Sequence, residues 1–378
     1  MTGDLVIRGG SVVTPSGRVE GDVVVVNGRI ASVGMPAPSS SGTIVDADGL
    51  VVAPGFVELQ VNGGWGTDVT SDPPSMWPLA EQLLTRGVSS FLPTVVTSSP
   101  DAVIGAQRAL RDRPGSLIGA RALGLHLEGP MINPVRRGAH PASHIAPADL
   151  DLAAEWSAAS GIAMVTLAPE LPGALDVIRA LVGRGVVVSG GHSDATVEEA
   201  EAAIDAGMSH LTHLFNAMAP ITHRAPGIAG VGLARADVTV GLVVDGLHLH
   251  PTTVAAVRNA KGAQGLVLVS DASSAMGRPP GTHRLGDTTI TVDETGIRTA
   301  DGVLAGSAIG IDDAVRNLVA FTGCAVDDAV TSASTTPATV IGATSTGRIE
   351  PGLVADLVLL DDLAPVCTIV DGAIAWTR

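Results

Sequence analysis

The chain has 378 residues, 46% hydrophobic and 16% charged, with a formal net charge of −16. That acidity opposes a phosphate backbone, and an aromatic content of 2% with no tyrosine removes the stacking platform of a nucleic-acid binder. Cys324 and Cys367 form no CxxC pair, no uncharged run reaches membrane-spanning length, and the opening MTGDLVIRGG lacks a basic-then-apolar leader, so a cytoplasmic protein is expected, with neither a disulfide framework nor a thiolate metal site.

In chain order, residues 4–50 supply short β segments, DLVIRGG, SVVTPSG, DVVVVNGRIASVG and TIVDADG, separated by Gly, Asn-Gly and Asp-Gly turns. The C-terminal stretches ADLVLLD, CTIVDG and AIAWTR repeat the style. Neither piece holds enough strands for its own core, so residues 1–53 and 345–378 are expected to pair into one small β-sandwich domain. Pro54-Gly55 opens the larger unit, residues 54–344. Within it, apolar runs recur at 56–64, 90–97, 123–130, 164–170, 186–193, 210–218, 240–250 and 266–273. Most of the intervals hold a helical pattern such as LAEQLLTRG, AVIGAQRALRD, ALDVIRALVGRG or VEEAEAAIDAG. Eight buried strands alternating with helices predict an α/β fold of the (β/α)8 TIM-like barrel type, and the absence of GxGxxG after the first strand argues against a doubly wound sheet.

Almost every run ends on polar residues: Glu58 and Gln60, Thr94, Glu128, Glu170, His192 and Asp194, His213 and Asn216, Asp245 and His248, and Asp271. In a barrel these ends converge on one mouth, where active sites of this fold lie. A strand-terminal acid taken alone is more often a cap or turn former, which is the reading for Thr94, Asp194 and Glu170. Glu128, His192 and His213 together make the N/N/O set of a catalytic zinc site with an open position for water. Asp271, across the mouth, is placed to take that water's proton and return one to a leaving group. Lys261, the chain's single lysine, falls in a loop-like RNAKGAQG, so a carbamylated-lysine bridge between two metals is not expected and one metal suffices.

HLEGP at 126–130, GAHP at 138–141, GGHSDAT at 190–196, THLFNAM at 212–218, DGLHLHP at 245–251 and VSDA at 269–272 resemble, in order, the motifs of the N-acetylglucosamine-6-phosphate deacetylases, a family of the amidohydrolase superfamily. The likeness runs the length of the chain and implies hydrolysis of an acetamido group on a sugar phosphate. It implies Glu128, His192 and His213 as ligands of one divalent metal, most simply Zn2+ with Fe2+, Mn2+ or Co2+ as alternatives, and Asp271 as general base then acid. It further implies His140 as the donor to the acyl oxyanion, and Asn216, Ala217, Arg224 and His248 as binders of the sugar phosphate, Arg224 or a neighbour reaching a partner subunit of a homodimer. Arg136 and Arg137 read as surface charges. His126 reads as support or packing, and His144, His210, His223, His250 and His283 are assigned no role. Two features depart from the wider superfamily or vary within the family: Glu58-Leu-Gln60 replaces the superfamily's His-x-His on the first strand, with Glu58 itself a candidate ligand, and Met131 occupies a loop position expected near the substrate. The competing readings are an N-acetylgalactosamine 6-phosphate or other N-acyl hydrolase, and a non-catalytic binding protein on the same fold.

Overall fold

The computed structural model describes residues 4–37, 42–285, 288–293 and 296–378. Eight parallel strands, with the two-residue strand Arg121–Ala122 also paired to the second of them, form the central sheet: β1 (Phe56–Val61), β2 (Val88–Val96), β3 (Leu125–Glu128), β4 (Ile162–Leu167), β5 (Val187–Gly190), β6 (His210–Leu211), β7 (Thr239–Leu242) and β8 (Leu266–Leu268). Their order follows the chain, and the seam between β8 and β1 is closed just beyond β8 by a parallel bridge between Val61 and Ala272 and by the Asp271 amide donating to the Gln60 carbonyl. The expected barrel is therefore present, with all eight runs in place.

β6 is far shorter than the 210–218 run suggested, because His213, Phe215 and Ala217 adopt positive φ and turn the chain away from the sheet. β2 is the longest barrel strand and is buried throughout; its Pro93 sits where the register with β1 shifts, as a residue without an N–H requires.

Helices cover the outside: α1 (Met76–Leu83), α2 (Pro100–Arg111), α3 (Ala174–Gly183), α4 (Val197–Asp205), α5 (Gly227–Ala234), α6 (Pro251–Gly265) and then α7 (Ile311–Thr322), α8 (Val326–Ala333) and α9 (Thr335–Val340). α4 starts at a reciprocal cap, Thr196 Oγ1 accepting from Glu199 N while Glu199 Oε2 accepts from Thr196 N. α5 lies so close to β6 that a β-carbon at Gly232 would fall 2.2 Å from Leu211 Cδ1. Lys261 is helical rather than in a loop: it lies in α6 beside a kink at Gly262, and its Nζ donates to the carbonyls of Gly232, Arg235 and Val238, which follow or end α5. The β3-to-β4 crossover has only short 3-10 turns, Pro134–Arg136, Ala142–His144 and Ala158–Ser160, and this open loop reaches over the barrel mouth.

Outside the barrel, strand Leu357–Asp361 pairs antiparallel with Val51–Pro54, so the two ends of the chain share one six-stranded sheet. A four-stranded sheet of Leu5–Arg8, Val23–Val26, Arg29–Val33 and Thr43–Asp46 packs on it through Leu5, Ile7, Val25, Leu357 and Ile369. A three-stranded antiparallel insert, Gly281–Leu285, Thr288–Asp293 and Gly296–Thr299, was not expected from the sequence. Its Leu285, Ile290 and Ile297 pack with Ala275, Ala305 and Ala139.

Candidate metal centre and active site

Glu128 ends β3, His192 follows β5 and His213 follows β6, and their polar atoms meet at one point. Glu128 Oε1 lies 2.9 Å from His213 Nε2 and 3.2 Å from His192 Nε2, and the two Nε2 atoms are 3.2 Å apart. All three residues are buried, and His192 and His213 hold positive φ values of 50° and 28°. Backbone strain of this kind collects where a site over-determines the chain. His192 donates Nδ1–H to the Arg136 carbonyl at 2.9 Å, which leaves the Nε2 lone pair facing the centre. Burial pushes the His192 imidazole down to about 4 against the pull of Glu128. Burial also opposes charge on Glu128 and His213. On Glu128 the hydrogen bonds with His140, His192 and His213 outweigh it, holding the carboxyl well below its ordinary range. On His213 the hydrogen bond and charge of Glu128 outweigh it and raise the ring.

With the rings neutral, the Nε2 lone pairs and the shared carboxylate oxygen repel unless a cation, a metal ion in place of the ring proton, sits among them, and tetrahedral ligands at roughly 2.0–2.2 Å are roughly 3.3–3.6 Å from each other. The observed spacing is close to that edge, so the three residues fit a metal ion.

His140 belongs to the same cluster. Glu128, His140 and His192 each offer a donor atom within 4.8 Å of the others. Its Nε2 faces the other oxygen of Glu128 at 3.6 Å, however, and its Nδ1 lies 2.8 Å from Thr97 Oγ1. The shorter distances and the shared oxygen favour His213 as the third ligand. Thr97 Oγ1, which also donates to the Glu128 carbonyl at 3.2 Å, holds the Nδ1 side of the ring, and the Glu128 carboxylate facing Nε2 favours a ring proton there, at the edge of the cavity. Gly129 is required here: at φ 86° its β-carbon would stand 2.1 Å from Thr97 Oγ1, which explains the Gly of HLEGP.

Asp271, at φ 47°, accepts from Asn62 Nδ2 (2.8 Å) and Gln60 Nε2 (3.2 Å), both on Oδ1, so Oδ2 has no hydrogen-bond partner among the described residues. Burial and the charge of Glu128 lift its carboxyl to about 6. Gln60 Nε2 also donates to Glu128 Oε1 at 2.9 Å, so one neutral amide bridges the two acids where a second cation would otherwise be needed. Glu58 is not part of the centre. Its carboxylate accepts from the backbone N–H groups of Gln60 (3.0 Å) and Ser270 (2.9 Å) and stitches β1 to the β8 end, with burial pushing it up to about 8.

A cavity of about 300 Å³ lies over the cluster, walled further by Asn216, Ala217 and His248 and by Leu285, Val303 and Leu304 of the insert region. His248 Nδ1 is 2.7 Å from Asp245 Oδ2, and although burial disfavours the Asp245 charge, the His248 contact and the backbone N–H groups of Leu247 and His248 hold it below its ordinary value. Arg224 is exposed and lies outside this lining, whereas Arg136 is part of it. Met131 is fully buried in the barrel core and does not line the cavity, since the chain turns it inward after Glu128. Thr94 and Glu170 are structural: Thr94 Oγ1 accepts from Val61 N, and Glu170 accepts from Asn133, Ser193 and Asp194 N. His126 donates Nδ1–H to Leu59 O and accepts from Thr166 at 2.7 Å beneath the centre, with burial pushing its ring down to about 4. The sequence offered no signal for the Gln60, Asn62 and Thr97 contacts, which exist only once separate strands meet.

A model of the amidohydrolase family matches residues 51–375. The N-acetylglucosamine-6-phosphate deacetylase of Homo sapiens is 42% identical over 351 residues, covering 88% of this chain and 85% of its own length. The crystal structure of the Thermotoga maritima N-acetylglucosamine-6-phosphate deacetylase superposes with a TM-score of 0.90 at 35% identity, covering 99% of this chain and all of that one. An aspartate-to-alanine mutant of the Mycobacterium smegmatis deacetylase, solved in complex with N-acetyl-D-glucosamine-6-phosphate, superposes with a TM-score of 0.89 at 31% identity over 99% of both chains.

Proposed function

The chain belongs to the amidohydrolase family, and from that premise we propose that it hydrolyses the acetamido group of N-acetylglucosamine 6-phosphate to glucosamine 6-phosphate and acetate. The observation that carries the reading is the meeting of Glu128, His192 and His213 opposite Asp271 in one cavity. Those three residues would hold one divalent ion, zinc by its N/N/O donor set with Fe2+, Mn2+ or Co2+ as substitutes. Bound there, such an ion would supply acidification of a water and polarisation of the acyl carbonyl. Asp271 Oδ2 accepts the water's proton and returns it to the amide nitrogen as the C–N bond breaks. Gln60 and Asn62 hold Oδ1 and so fix the direction of Oδ2. His140 donates Nε2–H to the developing oxyanion in a cavity that excludes most water. Asn216, Ala217 and His248 bind the sugar phosphate, with Arg224 supplied by the partner subunit of a homodimer. Barrel residues 54–344 carry the chemistry, and residues 1–53 with 345–378 form the supporting β domain. No helix among the described residues is long and apolar enough to cross a membrane, and both cysteines are free thiols, which supports a cytoplasmic site of action.

Purified protein is expected to release acetate from N-acetylglucosamine 6-phosphate with about one metal ion per chain. Chelation abolishes turnover and added zinc restores it; metal-loaded protein without turnover would reject the substrate. Arg224→Ala is expected to raise KM for the phosphorylated sugar about ten- to a hundredfold and to leave the dephosphorylated sugar nearly unaffected. An equal loss on both substrates removes Arg224 from phosphate binding.

A further inference from the structure

We propose that Arg136 is a substrate-binding residue, the subunit's own guanidinium for the phosphate group, and that Asp194 is its positioning residue. The inference rests on the phosphosugar reading above and adds to it a cation that the sequence had left among surface charges.

Arg136 is the only lysine or arginine among the described residues lining the cavity. Its Nε donates to Asp194 Oδ1 at 2.5 Å, while neither Nη has a hydrogen-bond partner among the described residues. The side chain is 31% exposed, so those N–H groups remain open to a ligand. The loop that carries it is fixed at both sides. The Arg136 carbonyl accepts from His192 Nδ1, and a β-carbon at Gly138 would lie 3.9 Å from Ala217 Cβ, which brings this segment alongside the Asn216-Ala217 wall. Arg137 donates to the His140 carbonyl at 2.9 Å, and His248, which lines the same cavity, pairs with Asp245 as Arg136 pairs with Asp194. In a chain of net charge −16 a phosphate dianion needs well-placed donors, and a guanidinium anchored by Asp194 at Nε still presents two further nitrogens to phosphate oxygens.

The test is steady-state kinetics on N-acetylglucosamine 6-phosphate for the wild type, Arg136→Ala and Arg136→Lys, with metal content and Tm measured on each sample and a calorimetric titration with glucosamine 6-phosphate alongside. Arg136→Ala is expected to raise KM and the Kd for glucosamine 6-phosphate about ten- to a hundredfold, with kcat within a few fold and metal content unchanged; Arg136→Lys recovers part of the loss. Asp194→Ala is expected to raise KM several fold with kcat unchanged. A fall in kcat or in metal content at unchanged KM would overturn the proposal, because Arg136 would then act through its carbonyl on His192. An unchanged Kd in Arg136→Ala would overturn it too. The titration needs no turnover, so absence of acetate release from the wild type would reject the deacetylase reading without touching this result.

Discussion

Asp271→Asn is expected to lower kcat about a thousandfold, within the ~10²–10⁴ that a positioned acid–base group contributes, with metal content and Tm at wild-type level. The fold should tolerate the change because an asparagine Oδ1 still accepts from Asn62 and Gln60, the two contacts that Asp271 Oδ1 makes. What is lost is the second oxygen, which has no hydrogen-bond partner among the described residues and so can take a proton. The same group sets the acid limb of the wild-type pH profile. A base works ionised, and burial with the charge of Glu128 raises this carboxyl to about 6, so kcat/KM falls as pH drops below that value. Metal binding offsets the Glu128 charge and moves the limb downward, never upward. Rate measurements between pH 4 and 9 check both statements: turnover within tenfold of wild type in Asp271→Asn, or an acid limb above about 6, would reassign the base.

His213→Ala is expected to release the metal and abolish turnover, with affinity falling by more than the ~10–100-fold typical of losing an outer hydrogen-bond partner. His192→Ala should behave alike. His140→Ala should keep its metal while kcat falls by about 10²–10³, the usual cost of one oxyanion donor. The contrast separates the two triads that the geometry offers, because His140 and His213 both approach Glu128 but on different oxygens. Metal analysis after dialysis decides it: metal retained by His213→Ala and lost by His140→Ala would exchange their roles.

The barrel was legible because strands buried on both faces read as continuous apolar runs, and each of the eight stands where its run lies. Their lengths were less legible. THLFNAM carries the composition of a strand, yet its backbone at His213, Phe215 and Ala217 makes a series of turns that puts the imidazole at the mouth. The insert was missed although TTITV alternates as a half-buried strand should, because nothing in that alternation says that its apolar face covers Ala139. At the site, Glu128, His192, His213, His140 and Asp271 were all readable from motif or strand end, and all five line one cavity. The arginines were the weak point. Exposed and lining guanidiniums look identical in sequence, and only the 3-10 turn at Pro134–Arg136 brings one of them over the cavity.

The pairing of Val51–Pro54 with Leu357–Asp361 has a consequence for how the chain is made on the ribosome. Partners roughly three hundred residues apart cannot meet until translation is nearly finished, which at ~5–20 residues per second leaves the N-terminal β segments waiting on the order of 15–60 s. During that interval Val51–Pro54 presents an unpaired edge, and Leu5, Ile7 and Val25 await the apolar side chains of Leu357 and Ile369. A product truncated ahead of residue 357 is therefore expected to expose that strand edge and its apolar face, a surface prone to edge-to-edge pairing.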